Sequence, residues 1–183
     1  MASRLVIKGG RPLVGSLEAS GAKNACLPIM AASILAQGVV ELERVPNISD
    51  VRVMADILRE IGVEVNFDAN LGHMQLDSSH LKTTRAPEEL VRKMNASFDV
   101  MGPLLARCGE GEVSMPGGCR LGPRPVNFHI EAFKKLGAEV TVEGGFVKAK
   151  ANGLKGAHIL FQSVSVGATK NAMMAATMAE GTT

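Results

Sequence analysis

The 183 residues carry 20 Lys and Arg against 18 Asp and Glu, a formal net charge of +2, so no field is strong enough to imply a nucleic-acid or membrane partner by itself. Hydrophobic residues make up 46% and aromatic residues 3%, all of the latter Phe, which fits a chain with its own core and offers no stacking platform for bases. The longest nearly apolar run, Ala25–Ala36, is interrupted by Pro28 and too short for a bilayer, the first residues lack a leader's apolar stretch, and the odd cysteine count points to reduced thiols. A cytoplasmic location without a membrane or nucleic-acid partner is the expectation.

An apolar helix is predicted from about Asn24 to Gln37, followed by the alternating strand Val39–Val45. Ser49 is then the N-cap candidate of a second helix whose Met54, Ile57, Leu58 and Ile61 form one stripe and whose end is marked by Gly62. Strands Val63–Phe67 and His73–Asp77 make a hairpin across Asn70-Leu-Gly72. The same order returns as helix Ala96–Arg107, strand Glu112–Met115, helix Val126–Leu136 closed by Gly137, and strands Glu139–Val142 and Phe146–Lys150 around Gly144-Gly145. A strand His158–Gln162 is expected to lead into Gly167-Ala-Thr-Lys-Asn-Ala172, which echoes Gly21-Ala-Lys-Asn-Ala25. The period is about 70 residues, one supersecondary unit per repeat, so the sequence predicts an α/β chain of two units and the start of a third, stacked about a pseudo-threefold axis with the first helix of each unit buried.

Two stretches carry candidate chemistry. Pro116-Gly-Gly-Cys-Arg-Leu-Gly-Pro-Arg-Pro125 is a long link where the first unit has only Pro46-Asn-Ile-Ser49, and an unusual loop on a repeated scaffold is a place for function. Cys26 and Cys108, in or beside apolar helices, read as inert. Cys119, next to Arg120 and near Arg124, reads either as a thiol activated by positive charge or as part of a plain surface turn. Lys23-Asn24, at the mouth of the first helix, suits an anion held by free N–H groups and a positive dipole end. Taken alone the pair reads first as a solvated lysine beside an N-cap asparagine, and its recurrence as Lys170-Asn171 says that part of the motif serves the fold.

Taken together, Ser20-Gly-Ala-Lys-Asn-Ala25, Pro116-Gly-Gly-Cys119, Gly122-Pro-Arg-Pro125 and Val164-Ser-Val-Gly-Ala-Thr169 resemble the UDP-N-acetylglucosamine 1-carboxyvinyltransferases, the MurA family of enolpyruvate transferases in peptidoglycan synthesis, from about Leu5 onward. The Pro-Gly-Gly-Cys loop is the most specific part, because the related shikimate-pathway carboxyvinyltransferase shares the fold and the lysine without that cysteine. The resemblance implies an inverse α/β barrel of repeated βαβαββ units. It further implies that residues 1–20 are a strand belonging to a second domain and that residues 21–183 are an incomplete catalytic domain.

It also implies transfer of the enolpyruvyl group of phosphoenolpyruvate to the 3-hydroxyl of UDP-N-acetylglucosamine, with no metal or organic cofactor. Lys23 and Asn24 would hold phosphoenolpyruvate, and Cys119 on a lid would be the general acid and the target of fosfomycin. Arg124, Pro125, Val126, Asn127 and Phe128 would lie along the uridine and diphosphate, with Ser163, Val164, Ser165 and Val166 as a second nucleotide contact. Three residues depart from the family pattern: Asn95 stands where an arginine is usual, Asp99 where an aromatic is usual, and Asn127 where an aspartate is usual. Exchanging a guanidinium for an amide at position 95 removes a phosphate-competent set of donors. An impaired homologue or fragment that binds a nucleotide sugar or a partner protein is the alternative reading.

Overall fold

The computed structural model describes residues 4–116 and 126–183. After an extended, exposed stretch, α1 spans Lys23–Ala32 and runs on as a 3-10 turn, Ser33–Leu35. Pro28 tightens nothing here but removes one donor, so the Asn24 carbonyl receives no bond from the residue four further on. Strand β1 (Val39–Leu42) leads to α2 (Ser49–Ile61), β2 (Glu64–Asp68) and β3 (His73–Asp77). The strands form one antiparallel sheet, order β1-β3-β2, in which Val40 and Val65 both pair with Leu76. Alternation places Met74 and Leu76 wholly inside, against the fully buried stripe Met54, Ile57, Leu58 and Ile61 of α2. Burying four such side chains is worth roughly 1.5–3 kcal/mol each, which is why this helix needs no strong cap.

Ser49 is in fact the first helical residue; Ile48 occupies the N-cap and no side chain caps the end. An acidic residue one position on, Asp50, complements the helix dipole instead. At the other end Gly62 takes φ +112 and its N–H bonds the Leu58 and Arg59 carbonyls, as the sequence anticipates.

The second unit repeats the plan. A short α3 (Glu88–Val91) and a 3-10 turn (Asn95–Val100) precede α4 (Met101–Cys108), then come β4 (Glu110–Ser114), α5 (Asn127–Lys135), β5 (Glu139–Glu143) and β6 (Phe146–Lys150). The sheet order is β4-β6-β5, with Val113 and Val142 both opposite Val147. The third unit opens with α6 (Val166–Ala176). Residues 158–162 alternate between half-buried and exposed as a strand would, but form no ladder, so the expected strand is extended chain without a neighbour among the described residues. Units two and three do begin alike: Arg85 bridges Glu112 and Lys155 bridges Glu180, both in parallel.

The first helices of the three units meet in the core. Gly102 lets α4 approach α6 closely, since a side-chain carbon there would collide with Asn171. Arg107 of α4 reaches into the first unit and donates to the carbonyls of Ile34 (2.7 Å) and Ala36 (2.9 Å) and to the Ser78 hydroxyl (2.9 Å), satisfying the end of the 3-10 turn. No helix among the described residues is long and apolar enough to cross a membrane.

Candidate functional site

Helix α1 starts at Lys23 behind Ala22, whose carbonyl accepts from the N–H groups of Ala25 and Cys26 while no side chain caps the turn. The end that points out of α1 therefore keeps free donors and a positive partial charge. It opens on a cleft of about 780 Å³ to which all three units contribute. Lys23, Asn24 and Leu27 come from α1, Asp50 from the start of α2, residues 92–96 with Phe98 and Asp99 from the turn before α4, Val126, Asn127, Phe128 and His129 from the start of α5, and Val164, Ser165, Val166, Gly167 and Lys170 from the start of α6.

Nine of the thirteen expected site residues thus share one wall-to-wall space: Lys23, Asn24, Asn95, Val126, Asn127, Phe128, Val164, Ser165 and Val166. Ser163 is exposed and does not line it. Cys119, Arg124 and Pro125 lie outside the described residues, as does Arg120, and Pro116, the last described residue before them, is on the cleft wall. Cys26, buried, and Cys108, exposed at the end of α4, are free thiols that desolvation holds above their usual range, in keeping with inert roles.

Four cations and two carboxylates line the cleft, an excess that favours an anionic ligand. Lys23 Nζ lies 2.9 Å from Asp50 Oδ2 at the surface, and Arg92 pairs with Glu88 along its own helix turn. Lys170 Nζ lies 2.6 Å from Asp99 Oδ2, with the aspartate only 4% exposed and the lysine 28%. At that distance the two opposite charges hold each other in place. Burial pushes the Asp99 carboxyl up from the ordinary range and Lys170 pulls it back. Ser165 caps α6, its hydroxyl accepting from the Ala168 N–H at 3.3 Å.

Beneath this wall sits a buried amide. The Gly102 N–H donates to Asn171 Oδ1 at 2.8 Å and Asn171 Nδ2 donates to the Phe98 carbonyl at 2.9 Å, which fixes the orientation of the amide. Its Nδ2 also faces His129 Nδ1 at 3.1 Å, so this ring nitrogen accepts and the proton resides on Nε2. Burial first, and the Lys170 charge second, hold His129 down at about 4, and the imidazole is neutral near pH 7. The His129 and Phe98 rings stand edge to face, their centroids 5.1 Å apart. Among the described residues no group of His, Cys, Asp and Glu could hold a metal ion.

Asp50, Arg92, Lys93, His129, Gly167 and Lys170 were not legible as site residues. Lys170 had a signal, the recurrence of Lys23-Asn24 in the third unit, whereas Asp50 reads only as a helix-start acid and His129 carries no pattern of its own.

The family model for EPSP synthase (3-phosphoshikimate 1-carboxyvinyltransferase) matches residues 7–183. The chain belongs to the EPSP synthase family. Within that family it is 52% identical to a UDP-N-acetylglucosamine 1-carboxyvinyltransferase of Chlorobaculum parvum over 99% of this chain and 43% of the relative. It is 48% identical to one of Rhodospirillum centenum, over 98% of this chain and 44% of the relative. The chain therefore spans less than half the length of the curated relatives it matches. Of solved structures, the enolpyruvyl transferase NikO from Streptomyces tendae superposes with a TM-score of 0.79 at 22% identity, covering 94% of this chain and 40% of that one. An EPSP synthase from Acinetobacter baumannii superposes with 0.71 at 19% identity, over 91% and 39%. At those identities the likeness establishes the enolpyruvyl-transferase fold, which the family resemblance implies and the repeated α/β units agree with.

Proposed function

We propose that the chain supplies the nucleotide-sugar side of a transferase that moves the enolpyruvyl group of phosphoenolpyruvate to the 3-hydroxyl of UDP-N-acetylglucosamine, a cytoplasmic step of peptidoglycan synthesis. The observation that carries this reading is the cleft, where the open end of α1 with Lys23 and Asn24 faces Asn127, Phe128 and the start of α6 across a cation-rich space. The names of relatives near 50% identical supply the substrates. In this reading a second domain closes the other side of the cleft, and residues 1–20 belong to that domain as a strand; Leu5, Leu13, Val14 and Leu17 are almost fully exposed, consistent with apolar groups that pack elsewhere.

Chemically, the sugar 3-hydroxyl gives its proton to a base and adds to C2 of phosphoenolpyruvate while a proton is delivered to C3, giving a tetrahedral ketal; loss of phosphate and of a C3 proton then gives the enol ether. Lys23 and the free N–H groups of α1 balance the anionic charge of phosphoenolpyruvate through both steps. Cys119 donates the proton to the methylene or to the departing phosphate, and Arg124 holds phosphate oxygens.

A second reading, a homologue that binds the nucleotide sugar without normal turnover, draws on Asn95 and Asn127 lining the cleft as neutral amides. The test is intact-mass analysis of the protein from its native source after fosfomycin with UDP-N-acetylglucosamine. One adduct, absent in Cys119→Ser, is expected for the transferase; no adduct, with UDP-N-acetylglucosamine still bound, favours the binding homologue.

A further inference from the structure

Asp99 and Lys170 form an ion pair in the wall of the cleft, the carboxylate all but buried and the ammonium partly open to the cavity. A buried ion pair is weak evidence for stability, since apolar residues of similar volume in place of such a pair often cost nothing. What the pair does accomplish is to fix a positive charge at a defined place. Lys170 sits in the body of α6, Asp99 at the turn entering α4, and both elements are pinned to each other by Asn171. An ammonium has three donors, and those not aimed at Asp99 are free to turn toward the cavity. Of the cleft's paired cations it is the most shielded: 28% exposed, against 49% for Lys23 and 65% for Arg92, so a charge–charge contact there is weakened least by water. Of the groups packed beneath this pair, His129 is neutral and Phe98 and Asn171 are uncharged. Asn95, on the same turn as Asp99 and on the same cleft wall, brings no charge either.

We infer that Lys170 is a specificity-determining cation of this cleft, braced by Asp99 so that its ammonium meets the diphosphate of the bound nucleotide sugar and supplies the charge that Asn95 does not. This rests on the nucleotide-sugar reading above. The bracing explains why the carboxylate is kept despite its desolvation: without it the long lysine side chain would have to be ordered at each binding event.

The experiment is isothermal titration of UDP-N-acetylglucosamine into the protein and its variants at several salt concentrations, with melting temperatures measured alongside. Replacing both partners, Asp99→Leu with Lys170→Met, is expected to leave melting within a few degrees of the parent, weaken binding about tenfold and flatten its salt dependence. Adding Asn95→Arg to that pair is expected to regain most of the lost affinity, an outcome that a purely structural role would not give. If the double replacement melts early, Lys170→Arg against Lys170→Gln reads the same point, the first holding affinity within about threefold and the second losing about tenfold. Unchanged affinity in the double replacement, with Asn127→Ala still weakened, overturns the inference and leaves the nucleotide-sugar reading standing. No binding by the parent protein overturns both.

Discussion

The first and third units carry the same Lys-Asn-Ala sequence and use it in opposite ways. Lys23 is the first residue of α1 and Asn24 the second, both exposed, on a helix end that no side chain caps. Lys170 and Asn171 sit one turn further into α6, because the third unit begins its helix four residues earlier behind the capping Ser165. That offset of about one turn takes the asparagine from the cleft rim to the core, where it joins Gly102, Phe98 and His129. It takes the lysine from a surface pair with Asp50 to a shielded pair with Asp99. One motif thus lies on an open helix end where the helix starts late, and sends its asparagine into the core where the helix starts early.

The comparison breaks most sharply at the two asparagines. Asn171→Leu leaves the Gly102 N–H and the Phe98 carbonyl buried without partners, so a loss of about 3 kcal/mol or more in unfolding free energy by denaturant titration is expected. Asn24→Leu, on an exposed site, is expected to stay within about 0.5 kcal/mol of the parent. A similar loss from both would erase the distinction.

Acid tests the same buried cluster. His129 holds its proton only below about 4 when folded and below 6.5 when unfolded, so the unfolded chain binds a proton first as pH falls. Stability is expected to drop on the order of 3 kcal/mol between pH 6.5 and 4, and the drop to shrink in His129→Gln. Asp99 works the other way: raised when folded, it takes its proton earlier in the folded state and offsets part of that loss as pH falls toward the ordinary carboxylate range.

Gly102→Ala forces α4 away from Asn171, and roughly 2 kcal/mol of destabilisation is expected in thermal melts. The smallest effect on stability belongs to Lys23→Ala, under about 1 kcal/mol for an exposed ion pair, together with the loss of phosphoenolpyruvate binding by fluorescence or calorimetry. Intact binding in that variant would remove Lys23 from the proposed ligand site.

Most of the fold could be read in advance because its signals are local. The α2 stripe ends at Gly62, β2 and β3 flank their turn, and Phe146–Lys150 is a strand to the residue. The misreadings have local causes too. Ser49 resembles a cap, yet tertiary burial of α2 sets the helix start one residue earlier than its side chain would, and His158–Gln162 alternates like a strand without a neighbour to pair with. The lining of the cleft was legible where motif and position coincide, as at Lys23, Asn24 and Asn127. It was not legible at Asp50 or His129, nor in the pairing of Asp99 with Lys170, whose meaning comes from which elements the repeat brings face to face.

The most direct measurement is a calorimetric titration of the protein from its native source with UDP-N-acetylglucosamine and, separately, with 3-phosphoshikimate, the substrate named in the description of the matching family. A single saturable site for UDP-N-acetylglucosamine, weakened by Asn127→Ala and with no comparable site for 3-phosphoshikimate, is the expected result. Saturable binding of 3-phosphoshikimate with none of the nucleotide sugar would contradict the account.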